Sequence, residues 1–72
     1  MNTASRRFLI WSNEHEAWWG SGRHGYVYII RLAGRYERDE AEAICRNANA
    51  YLPKDAEPNE VMVLAPEYLE AR

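Results

Sequence analysis

The sequence predicts a small α+β domain: a three-stranded β-sheet with one α-helix packed on one face, in the order β-loop-β-α-β, occupying residues 1–72 as a single unit. Three observations carry that expectation. Phe8-Leu9-Ile10-Trp11 is a continuous apolar run too short for a helix. Tyr26–Leu32 consists, Arg31 apart, of β-branched, aromatic and aliphatic residues. Ala41, Ile44, Ala48 and Tyr51 recur at three- and four-residue steps, the spacing of one helix face. At 72 residues the chain is about half of one ordinary domain. A chain of this size buries only about 60% of its unfolded surface. Its single cysteine offers no internal disulfide, so extra stability has to come from packing or from a partner.

The elements follow in order. Residues 1–5 are small and polar and are expected to fray. Phe8–Trp11 reads as a strand buried on both faces. Asn13 with Glu16 three residues later has the spacing of an N-terminal capping pair, so residues 13–19 read as one or two helical turns or as an irregular loop. Gly20, Gly22 and Gly25 make residues 20–25 a turn or loop. In the second strand, alternation sets Tyr26, Tyr28, Ile30 and Leu32 on one face and Val27, Ile29 and Arg31 on the other, before Ala33-Gly34 breaks it. The helix runs from Arg38 to about Tyr51, with Asp39 and Glu40 in the first turn, where the helix dipole favours negative charge, and Cys45 beside the apolar stripe. Pro53 ends it and Lys54–Asn59 is a polar linker. Glu60–Ala65 reads as the third strand, stopped by Pro66, and Glu67–Arg72 as a last helical turn. One sheet face is then left without a helix, to be covered by the Glu14–Gly25 loop or by a partner.

Composition narrows the function classes. The apolar fraction of 47% and charged fraction of 28% are those of a soluble globular chain. No apolar run approaches the roughly 20 residues of a membrane span, and Met1–Arg7 leads into too few apolar residues for a signal peptide. A reduced cytoplasmic setting, in a bacterial host, is expected, with no membrane partner. The net charge of −2 is unevenly spread. Residues 1–36 carry five arginines against two glutamates, a net +3, together with seven of the nine aromatics, whereas residues 37–72 are net −5. So weak an excess neutralises few phosphates, which disfavours nucleic acid as the main ligand.

Several constellations bear on chemistry. Gly20-Ser21-Gly22-Arg23-His24-Gly25 matches the dinucleotide fingerprint and the kinase glycine loop as a string. The first needs a helix directly afterwards, but a strand follows; the second needs a catalytic apparatus from a far longer chain. What survives is a flexible turn whose amides, with Arg23, hold a phosphate or carboxylate. His15, His24 and Cys45 lack the paired spacings of a zinc site, so no metal or other cofactor is expected. Glu14, His15 and His24 offer an acid–base set for a small hydrolase or lyase, against a simpler reading as solvent-exposed turn residues. Trp18 and Trp19, with Tyr26 and Arg23, form the most informative cluster, because Trp, Tyr and Arg dominate binding hot spots.

The strings Trp11-Ser12-Asn13-Glu14-His15, Trp18-Trp19, Gly25-Tyr26 and Ala33-Gly34-Arg35-Tyr36, followed by an acidic helix, resemble a group of small proteins of unassigned activity encoded by bacteriophages, prophages and their bacterial hosts. The resemblance covers roughly residues 8–50, with Ser21 and Val27 standing where the group often has Pro or Asn and Thr. It implies a short accessory gene product of the bacterial cytoplasm. The expectation is a non-enzymatic binding module with Glu14, His15, Trp18, Trp19, Arg23, His24 and Tyr26 as its binding residues. Its ligand is a bacterial protein or an anionic, nucleotide-like small molecule. The alternatives are the hydrolase or lyase and a homodimer that buries the open sheet face or pairs an edge strand.

Overall fold

The structure is a computed structural model that describes residues 7–70. The expected fraying of residues 1–5, and the end of the last turn at residues 71–72, lie outside the described residues. The chain forms β1 (Phe8–Ser12), β2 (Ala17–Trp19), β3 (Tyr26–Val27), α1 (Arg38–Asn49), β4 (Glu60–Leu64) and α2 (Glu67–Glu70), with 3₁₀ turns at Ser21–Arg23 and Ile30–Leu32. The class is the expected α+β, but the sheet has four strands rather than three, in the order β3-β2-β1-β4, every neighbour antiparallel.

The additional strand is β2, in the stretch expected to be helical or irregular. Asn13 caps no helix there. Its side-chain oxygen accepts from Trp11 Nε1 at 3.0 Å, its amide donates to the Pro58 carbonyl at 2.9 Å, and its backbone N–H donates to the Asn59 carbonyl at 2.7 Å. Ser12 Oγ accepts from the His15 N–H at 3.0 Å, and Glu16 takes φ of 53°. These contacts close a four-residue hairpin loop and direct Ala17–Trp19 back along β1.

The central strand is buried on both faces, as expected. Phe8 and Ile10 meet Tyr36, Ala41 and Ile44 on the α1 side, with Trp19, Cys45 and Met62 packed around them. Leu9 meets Ala33 and Ala65 on the other side, with Trp18, Val27, Ile30 and Leu69 around them. This second face was expected to be open or covered by the Glu14–Gly25 loop. Instead the strand expected over Tyr26–Leu32 stops at Val27, and the chain bends so that the Ile30 turn, Ala33 and α2 lie beneath the sheet. Helix α1 ends at Asn49, not near Tyr51, and Tyr51 leaves the apolar stripe to stand 75% exposed.

Candidate functional site

Residues 17–19 form a strand, so consecutive side chains point to opposite faces. Trp18 goes to the α2 side, its ring meeting Trp11 edge-on with centroids 4.9 Å apart. Trp19 goes to the α1 side, where its Nε1 donates to Glu60 Oε2 at 3.2 Å and its ring meets Tyr26 edge-on at 6.3 Å. The two tryptophans therefore do not share one surface. Tyr26 continues the Trp19 side and carries the His15 ring stacked on it at 4.0 Å. Partial burial, then the carboxylates of Glu60 and Glu14, push the Tyr26 hydroxyl above its ordinary pKa.

After β2 the glycine loop folds tightly. Gly20 N–H donates to the Gly25 carbonyl at 2.9 Å and His24 N–H to the Ser21 carbonyl at 3.0 Å, while Gly22, Arg23 and Gly25 take left-handed φ values of 63°, 64° and 65°. The buried Tyr36 hydroxyl fastens the turn: it accepts the Arg23 N–H at 3.0 Å and donates to the Gly20 carbonyl. Gly34 lies so close beneath that a Cβ there would come within 2.6 Å of the Gly20 oxygen. Three of the loop amides are thus already spent, those of Gly20 and His24 inside the loop and that of Arg23 on Tyr36, which leaves little of the expected backbone anion cradle.

What the turn does is present the Arg23 side chain. It stands half-exposed, with Nε 3.6 Å from Glu40 Oε2 on α1, and its terminal nitrogens make no hydrogen bond among the described residues. Between this loop and α1 lies an open groove of about 390 Å³, lined by Trp19, Arg23, Ile44, Asn47 and Ala48. An aromatic residue, two aliphatic ones, an amide-bearing residue and an arginine line it, a mixture of the kind that small-ligand sites use: apolar walls for affinity and a few polar groups for orientation.

Of the residues expected from sequence, the groove takes Trp19 and Arg23, with Tyr26 and His15 continuing the Trp19 side. Trp18 faces away, and Glu14 and His24 are exposed on their turns. None of Glu14, His15 and His24 lines the groove, so it does not unite the acid–base set. Among the described residues no group of three or more His, Cys, Asp or Glu side chains gathers as metal ligands. Burial, and then the Glu60 carboxylate, push the Cys45 thiol above its ordinary value, which is the setting of a packing residue rather than a nucleophile.

Sequence reasoning missed Asn47, Glu40, Tyr36 and Glu60. Asn47 had a signal: it sits three residues after Ile44 and beside Ala48, at the margin of the apolar stripe. Tyr36 and Glu60 had none, because their roles depend on contacts 13 to 41 residues away in the chain. The chain matches no family model, no curated protein and no solved structure. No helix among the described residues is long and apolar enough to cross a membrane.

Proposed function

We propose that this protein is a non-enzymatic binding module that takes an anionic, nucleotide-like small molecule in the groove between α1 and β2, as an accessory protein of the phage or prophage kind. The single observation that carries this reading is the groove itself. Its volume of about 390 Å³ suits a small ligand, and one wall is aromatic while another carries a guanidinium whose terminal nitrogens have no hydrogen-bond partner among the described residues. A planar ring packs on Trp19 and the aliphatic floor of Ile44 and Ala48, Asn47 supplies a donor and an acceptor, and Arg23 takes a phosphate or carboxylate through its forked N–H groups. Catalysis is not part of the proposal, because no titratable pair converges in the groove.

Calorimetric titration with ATP, GMP, adenosine and inorganic phosphate tests it. Charged nucleotides are expected to bind more tightly than uncharged adenosine, and Arg23→Ala is expected to weaken nucleotide binding about tenfold or more. Failure of every probe to bind at millimolar concentration, or nucleotide binding unchanged in both Arg23→Ala and Asn47→Ala, contradicts the proposal.

A further inference from the structure

Strand β4 is an outer strand of the sheet, with β1 on one side only. Its hydrogen-bonding direction is fixed at both ends, since Ala65 N–H donates to the Arg7 carbonyl and Asn13 N–H to the Asn59 carbonyl. With Leu9 opposite Val63 and Trp11 opposite Val61, alternation turns the backbone groups of Glu60, Met62 and Leu64 outward. Glu60 is already closed off. Asn49 Oδ1 accepts its N–H at 3.1 Å and Asn49 Nδ2 donates to its carbonyl at 2.9 Å, so a side-chain amide from the end of α1 occupies the place of a neighbouring strand. Beyond Leu64, Pro66 has no N–H to offer.

The open edge is thus Met62-Val63-Leu64, and among the described residues nothing meets the outward N–H and C=O of Met62 and Leu64. Within Val61–Ala65 there is no charged residue and no proline to discourage pairing at the open positions. Val63 and Leu64 are 36% and 42% exposed.

We propose that this edge pairs with the same edge of a second copy, antiparallel about a twofold axis through Val63, so that two sheets join into one. The occupant follows from the bounds. Two outward residues flanking a central one read the same in both directions, so in this register Met62 of each copy lies opposite Leu64 of the other. All the open donors and acceptors then close, with none left over. The Asn49 amide and Pro66 stop a longer foreign strand from extending the ladder in either direction. Val63 lies opposite Val63 of the second copy at a position where Cα atoms of antiparallel strands approach to about 4.5 Å and side chains touch.

The register makes a sharp test. In a Cys45→Ser background, Val63→Cys places two thiols across the axis within disulfide reach, whereas Leu64→Cys places each thiol opposite Met62 of the other copy. Mild oxidation should cross-link Val63→Cys at least about tenfold faster than Leu64→Cys, since only the first pair meets disulfide geometry. Sedimentation of the full chain at about 100 μM should show a dimer, and Leu64→Pro, which removes an outward N–H without touching the β1 ladder, should weaken it about tenfold or more. A monomer at every concentration overturns the proposal. So does equal cross-linking of the two cysteine variants, or a dimer unchanged in folded Leu64→Pro. If Leu64→Pro fails to fold, the cysteine comparison still decides.

Discussion

Trp18 and Trp19 are consecutive in the chain and lie on opposite faces of the sheet, one against Trp11 and the other hydrogen-bonded to Glu60. The paired aromatics therefore divide between two jobs. Trp18 closes the apolar layer around Leu9, Ala33 and Ala65, and Trp19 walls the groove. Trp18→Ala is expected to cost about 2–4 kcal/mol of stability, from lost packing and the cavity left behind, and to leave nucleotide affinity unchanged in the fraction that folds. Trp19→Leu also removes the N–H that the buried Glu60 carboxylate accepts, so it should cost about 1–3 kcal/mol as well, but unlike Trp18→Ala it should lose nucleotide binding in the fraction that folds. Urea unfolding and calorimetric titration of the two variants separate the effects.

The Tyr36 hydroxyl is the fastening of the glycine loop. Tyr36→Phe leaves the Arg23 N–H and the Gly20 carbonyl without their partner in a buried place and should cost about 1–3 kcal/mol. The rest of the sheet keeps its contacts, so the loss should appear as faster hydrogen exchange at Arg23 and His24 and weaker ligand binding, more than as general unfolding.

Glu40 competes for Arg23. The ion pair is exposed on both sides, so it adds little to stability, but its negative charge sits beside the guanidinium proposed to hold an anionic ligand. Glu40→Gln is expected to leave the melting temperature within a degree or two and to tighten nucleotide binding about two- to tenfold at low salt, with the gain shrinking as salt is added.

Alkaline pH should destabilise the fold in two stages. Burial raises the Cys45 thiol above its ordinary 9.0 and the Tyr36 hydroxyl above its ordinary 10.0, with the Tyr26 hydroxyl raised in the same range as Tyr36, so the folded state holds each proton longer than the unfolded chain does. The stability these groups contribute is complete below the unfolded values and is lost as pH rises through the folded ones. Urea midpoints should therefore be insensitive to these groups up to about pH 9 and decline above it, and Cys45→Ala should remove the earlier part of the decline.

The sequence made β1, α1 and β4 legible because each depends on a local pattern: an unbroken apolar run, a three-to-four-residue period and a second apolar run ending at a proline. It misled where tertiary contacts decide. The Asn13–Glu16 spacing resembles a helix cap, but Ser12 and Pro58 draw those residues into a hairpin, and only strand geometry separates Trp18 from Trp19. Tyr26–Leu32 has a strand's composition, yet the chain bends after Val27, so that Ile30 packs beneath the sheet while Tyr28, Ile29 and Leu32 stand exposed. Trp19 and Arg23, which line the groove, were singled out by residue type. Asn47 had only its place at the margin of the helix stripe and Glu40 had no signal, since their position beside the groove depends on how α1 lies against β2.

If the groove beside Trp19 takes the nucleotide, the three indole N–H signals in a ¹H–¹⁵N spectrum report on it directly. On titration with a nucleotide, the Trp19 indole and the Arg23 and Asn47 amides should shift together, while the indoles of Trp11 and Trp18 across the sheet stay in place. Shifts confined to Trp11 and Trp18, or no shift at Trp19 at saturating nucleotide, would show that the groove does not take the nucleotide.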